Sequence, residues 1–173
     1  MKFGHNLPRN QVPEWASSYI DYKGLKKLIK SPVEATKNGQ DADLAEFFYT
    51  LDRNLESVDA FYNKKYSDAS RRLRLLYDRY GSIPKGRDGM DKDEKEDLMG
   101  ALLEVRDQLR KLQWYGEVNR RGFIKITKKL DKKVSNQATQ RSYLATKVDP
   151  KPFSKNAKLS NDMKQVNDWL SRL

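Results

Sequence analysis

Residues 43–80, DLAEFFYTLDRNLESVDAFYNKKYSDASRRLRLLYDRY, place apolar or small side chains at Leu44, Phe48, Leu51, Leu55, Val58, Tyr62, Tyr66, Ala69, Leu73, Leu76 and Tyr80. Every step is three or four residues, the spacing of one face of an α-helix. The pattern predicts a single helix of roughly 38 residues, about 57 Å long at 1.5 Å per residue. Gly81-Ser82-Ile83-Pro84 ends it, and a polar run containing Gly86 and Gly89 leads into an acid-rich helix start. A second long helix is predicted over 91–133, with Leu98, Leu102, Val105, Leu109, Leu112, Tyr115, Phe123, Ile126 and Leu130 on its stripe. The stripe is imperfect around Gly116 and Asn119. Two long helices joined by one polar connection imply an antiparallel hairpin.

Shorter elements flank the hairpin. Pro13 suits the first turn of a short helix carrying Trp15, Tyr19 and Ile20, and Asp21 offers an N-cap for another helix from Tyr22 to Lys30. That helix is expected to stop before Ser31-Pro32, because a residue preceding proline is pushed out of the α region. These elements form an N-terminal helical hairpin over 1–32. After a loop around Pro150 and Pro152, a last helix is expected over 159–173, with Met163, Val166, Trp169 and Leu170 on one face. The chain shows no period-two strand and no repeat of 20–50 residues. The expected architecture is all-α, a single domain over 1–173 with a three-helix-bundle-like core.

Composition agrees. A hydrophobic fraction of 37% is low for a compact globule, but nine Tyr, six Phe and three Trp are too many for a disordered chain. Long amphipathic helices reconcile the two. The absence of Cys excludes a disulfide framework, a thiolate metal site or a cysteine nucleophile, and a single histidine, His5, excludes a polyhistidine metal centre. No apolar run approaches the ~20 residues of a membrane span, and MKFGHNLPRN lacks the apolar core of a secretion signal, so a cytoplasmic location is expected.

Charge supplies the functional lead. The chain holds 35 Lys plus Arg against 24 Asp plus Glu, a formal net charge of +11. Residues 120–133, RRGFIKITKKLDKK, contain one acid, Asp131, among seven basic residues. On a helical wheel Lys125, Lys128, Lys129, Lys132 and Lys133 fall within an arc of roughly 140°, opposite Phe123, Ile126 and Leu130. Like charges at these spacings repel by a few tenths of a kcal/mol per pair. Lys23, Lys26, Lys27 and Lys30 repeat the theme beside Tyr22.

A lysine-rich face is most often a solvated surface. Here the imbalance is local, since residues 91–107 mix both signs, and a second basic segment invites convergence on a compact polyanion. The five lysines span about 12 Å of helix, the size of a small polyphosphorylated molecule. An ammonium meets phosphates from many directions, and each contact yields about 1 kcal/mol in water and up to ~4 at an effective dielectric of 20. Nucleic acid is a competitor at this charge, but the zinc-finger spacing, RNP-type strand and base-stacking aromatics are missing. An anionic membrane surface is another, although the face opposite the lysines is needed for the core. Catalysis finds little support: His5 lacks a nucleophile partner, and Gly81, Gly86 and Gly89 lack phosphate-loop spacing.

The residues Met1-Lys2-Phe3-Gly4, then Trp15 followed by Tyr19-Ile20-Asp21-Tyr22-Lys23-Gly24-Leu25-Lys26, and Gly122 through Lys132 resemble the SPX domain. The opening is similar to the start of fungal glycerophosphodiester phosphodiesterases that carry it. The resemblance implies a helical hairpin with small flanking helices, acting as a non-catalytic intracellular receptor for inositol polyphosphates, such as inositol hexakisphosphate, and pyrophosphates. It implies regulation of an attached domain or protein partner in phosphate homeostasis, with no cofactor and no metal. Tyr22, Lys26 and Lys129 match the family's primary phosphate-binding cluster, and Lys125, Lys128 and Lys132 its adjacent lysine surface. Lys2 would contribute from the N-terminal helix, and Lys133 lies at the edge. Leu130 replaces a histidine found in many members and falls on the expected core face.

Overall fold

The structure, a computed structural model, describes residues 3–81, 89–134 and 137–173. Among these residues every regular element is helical. In chain order they are α1 (Phe3–Asn10), a 3₁₀ turn (Pro13–Ser18), α2 (Tyr22–Leu28), α3 (Lys30–Lys37), α4 (Ala45–Tyr80) and α5 (Lys92–Lys133). There follow α6 (Thr139–Tyr143), a π-helical turn (Leu144–Val148), α7 (Pro152–Lys155) and α8 (Ala157–Arg172). Contacts divide the chain into two compact units, Met1–Tyr62 with Tyr115–Lys155, and Asn63–Trp114 with Asn156–Leu173.

The long helices follow the predicted periods. Asp43 caps α4 by accepting the Ala45 N–H at 3.0 Å, and Asp91 caps α5 by accepting that of Glu94 at 2.8 Å. One register detail differs: Phe47 is buried at the start of α4, whereas Phe48 is only half-buried. Part of the connection predicted after Gly81 lies outside the described residues.

In the first unit, Tyr115 is fully buried, donates to the Ser18 carbonyl at 2.7 Å and packs against Trp15, Tyr19 and Phe61. Three expectations are corrected here. The segment from Pro13 is a 3₁₀ turn, after which Tyr19 is extended. Ser31-Pro32 does not end the helical path but lies in the first turn of α3, where proline's missing N–H has no intrahelical acceptor to leave empty. Residues 137–155, where only a loop around Pro150 and Pro152 was expected, carry short helical turns: Asp131 accepts the Thr139 and Gln140 N–H groups at 2.7 and 2.8 Å, and Tyr143 donates to Asp52 at 2.9 Å.

In the second unit α8 begins after Asn156, whose φ of 54° is a left-handed conformation that asparagine tolerates. Its buried residues are Leu159 and Val166, while Met163, Trp169 and Leu170 are half-buried. Tyr77 stacks on Trp169 at 4.6 Å, and Tyr66 donates to Asp162.

Burial, and then the Asp162 hydrogen bond, push the Tyr66 hydroxyl up from 10.0 to about 12. Burial also raises Tyr115 and Tyr143. Phenolates form more readily in the unfolded chain, so this stabilisation is complete below pH 10 and declines as pH rises toward about 12. Urea unfolding from pH 8 to 12 is expected to show a plateau and then a fall beginning near pH 10; a flat profile would contradict the burial of these hydroxyls.

Candidate functional site

The site is assembled by how α2 is held against α5. Asp21 accepts the Gly24 N–H at 3.0 Å and so caps α2, while its own N–H donates to Asn54 Oδ1 at 2.8 Å. Gly24 is needed there, because an added Cβ would lie 2.3 Å from the Asp21 carboxylate. One residue earlier, Ile20 N–H donates to Asn119 Oδ1 at 2.8 Å, and Asn119 Nδ2 donates to the Tyr115 carbonyl at 2.8 Å. Asn119 is fully buried, where an unmatched amide would cost about 1–3 kcal/mol. A Cβ on Gly122 would come within 2.7 Å of Ile20 Cγ2 and 3.5 Å of the Phe3 ring, so glycine permits this close approach.

Consequently Tyr22 and Lys26 on α2 open onto the C-terminal part of α5. They line a cleft of about 350 Å³ with Phe3, Lys125, Lys128, Lys129, Lys132 and Lys133. That volume falls in the ~300–1,000 Å³ range of small-molecule sites. Among the described residues, six of the eight that line it are lysines and none is acidic. Lys26 and Lys129 are half-buried; Lys125, Lys128, Lys132 and Lys133 are exposed. Tyr22 is buried, with its ring edge-on to Phe3 at 5.0 Å and a wall of the pocket beside Gly4. Burial pushes its hydroxyl up from the ordinary phenol value, and like any tyrosine hydroxyl at neutral pH it can donate a hydrogen bond.

Beneath the lysines, Phe123, Ile126 and Leu130 are fully buried, and Thr127 is turned inward to donate to the Phe123 carbonyl at 2.7 Å. Leu130 packs in the core, as its place on the stripe predicts. Asp131, the lone acid of the basic run, is engaged by backbone N–H groups of α6. The run thus presents ammonium groups to the cleft and its carboxylate elsewhere.

Seven of the eight candidate residues therefore come together, and Lys2 lies outside the described residues. Of the lysines on the second basic segment, Lys26 alone lines the cleft. Lys23 borders a different hollow, between α1 and the 3₁₀ turn, and Lys27 and Lys30 are exposed without lining the cleft. Periodicity did not single out Phe3, Asn119 or Gly122. The interruption of the α5 stripe near Asn119 was the one signal in the periodicity, a buried amide reserved for a distant backbone group, while Phe3 and Gly122 stood only within the stretches that resemble the SPX domain. Among the described residues no group of His, Asp or Glu could hold a metal ion, and no helix is long and apolar enough to cross a membrane.

The family model of the SPX domain matches residues 1–45 and 83–147. Over its full length the chain is 34% identical to the glycerophosphocholine phosphodiesterase GDE1 of Candida albicans, covering 17% of that protein. Over 88% of its length it is 33% identical to the phosphate system positive regulatory protein PHO81 of Saccharomyces cerevisiae, covering 15% of that protein. The chain thus spans about a sixth of these relatives. It also resembles a solved structure, the SPX domain of Chaetomium thermophilum glycerophosphodiester phosphodiesterase 1 in complex with inositol hexakisphosphate. The two are 66% identical with a TM-score of 0.94, over 99% of this chain and 98% of the other. With its helices, its lysine cleft and both kinds of comparison in agreement, the chain belongs to the SPX domain family.

Proposed function

We propose that this chain is a non-catalytic sensor domain that binds inositol polyphosphates or pyrophosphates in the lysine cleft and regulates an attached domain or protein partner. The observation that carries the reading is the cleft itself: six lysines and a buried, protonated tyrosine around about 350 Å³, with no carboxylate in its lining. The bound inositol hexakisphosphate of the 66% identical Chaetomium domain supports the ligand class. Tyr22, Lys26 and Lys129 form the inner contacts, where partial burial lowers the effective dielectric and strengthens each charge pair. Lys125, Lys128, Lys132 and Lys133 supply an outer, adaptable surface, and Lys2 adds to it from the chain start. Residues 1–173 act together as one regulatory domain of a cytoplasmic protein, and the similarity to GDE1 proteins supports a phosphodiesterase parent.

Titration calorimetry with inositol hexakisphosphate at two salt concentrations tests this. Micromolar binding that weakens steeply with salt is expected, because several exposed ammonium groups contribute. Equal preference for random-sequence DNA of matched charge would favour a nucleic-acid role. Retention on anionic vesicles that added inositol hexakisphosphate does not reverse would favour a membrane role.

A further inference from the structure

The second unit carries two exposed rows whose centres, Leu75 and Gly100, its own packing does not explain, although among their flanking charges Arg71 pairs with Asp68 at 2.8 Å and Glu104 lies 4.0 Å from Arg72. On α4, Leu75 is 61% exposed and stands between Arg71 and Arg79, both exposed, at i−4 and i+4. On α5, Gly100 is exposed between Glu96 and Glu104, also exposed, at i−4 and i+4. Gly100 lies in the interior of a long helix, where glycine weakens the helix relative to alanine. A Cβ built there meets nothing within 4 Å among the described residues, so none of them requires the side chain to be missing. One row is a large apolar knob flanked by cations, and the other is a bare stretch of helix backbone flanked by anions.

The two rows lie at matching heights. Arg72 and Glu104 approach to 4.0 Å, which places α4 near residue 72 level with α5 near residue 104. One helical turn further from that pair on each strand of the antiparallel hairpin lie Leu75 and Gly100. A twofold axis running along α4 and α5 leaves height unchanged and sets α4 of one copy beside α5 of the other. Leu75 of each copy then meets Gly100 of the other, Arg71 meets Glu104, and Arg79 meets Glu96. The i±4 rows pack as ridges into grooves.

We infer that this face binds a second copy of the chain, forming a symmetric four-helix contact in which Leu75 seats on Gly100 and opposite charges fix the register. The inference is independent of the proposed ligand, since none of its residues lines the lysine cleft.

Sedimentation velocity over a concentration series up to about 100 µM reads the result directly, with a dimer of weak to moderate affinity expected. The dimer has twice the 20.2 kDa mass of one chain. Gly100→Leu is the sharpest variant: it fills open space in the monomer, so melting temperature is expected to hold or rise while self-association falls at least about tenfold. Arg71→Glu/Arg79→Glu and Glu96→Lys/Glu104→Lys are each expected to be monomeric alone, and their equimolar mixture to recover the dimer. A wild-type chain that stays monomeric throughout overturns the inference, as does a Gly100→Leu chain that dimerises like wild type. Occupation of this face by some other protein's helix would leave the wild type monomeric and so count against it.

Discussion

Lys129→Ala is expected to weaken inositol hexakisphosphate binding by roughly ten- to a hundredfold, the effect of losing a hydrogen-bonded charge worth about 1.5–3 kcal/mol. Lys129 is half-buried in the cleft, with Lys125 and Lys128 before it and Lys132 and Lys133 after it. Its ammonium works where water is partly excluded, so its attraction for a phosphate is less screened than that of its neighbours. Lys133→Ala removes the same formal charge from an exposed position, and a loss of only a few-fold is expected, as for other exposed ion pairs. Calorimetry on both variants at two salt concentrations separates the cases. The Lys133 loss should shrink at high salt, whereas much of the Lys129 loss should persist. An unchanged affinity in Lys129→Ala would remove that residue from the site.

Gly122→Leu is expected to reduce the same affinity by at least about tenfold without altering any charge, alongside about 1–3 kcal/mol of destabilisation from overpacking. The cleft exists because Ile20 and Phe3 lie against the bare face of α5 at Gly122, while Asn119 holds the Ile20 N–H. A leucine there must displace Ile20, and Ile20 is two residues from Tyr22. Moving α2 away by even an ångström separates Tyr22 and Lys26 from the lysines of α5, so the contacts proposed for a bridging polyphosphate would lengthen together. Thermal melting and circular dichroism check that the variant remains helical. If the folded variant bound inositol hexakisphosphate like wild type, the close approach at Gly122 would not be what builds the site.

The long helices were legible to within two residues. The chain pattern predicts 43–80 and 91–133, and the helices run Ala45–Tyr80 and Lys92–Lys133. Eleven stripe positions in the first helix and nine in the second leave little freedom in period or extent. Legibility fell for short elements, where one or two residues decide. Pro32 read as a stop and is instead a first-turn residue of α3, because the same missing N–H is harmless at a helix start and harmful inside. The pattern alone marked no helix in residues 1–12, yet Phe3–Asn10 is helical and places Phe3 in the wall of the cleft.

By itself the sequence determined that this chain is helical, that its cationic surplus concentrates in two segments, and that the lysines of 125–133 share a face opposite core residues. Those properties depend on neighbours within a few turns of one helix, so local periodicity contains them. Tertiary structure alone decided which basic residues converge. Lys26 enters the cleft and Lys23, Lys27 and Lys30 do not, because the orientation of α2 is set by Asn119, Gly122 and Asn54, contacts spanning 33 to about 100 residues of chain. A repulsive cluster of ammonium groups cannot bring itself together; buried amide hydrogen bonds and a side chain that is absent hold it in place.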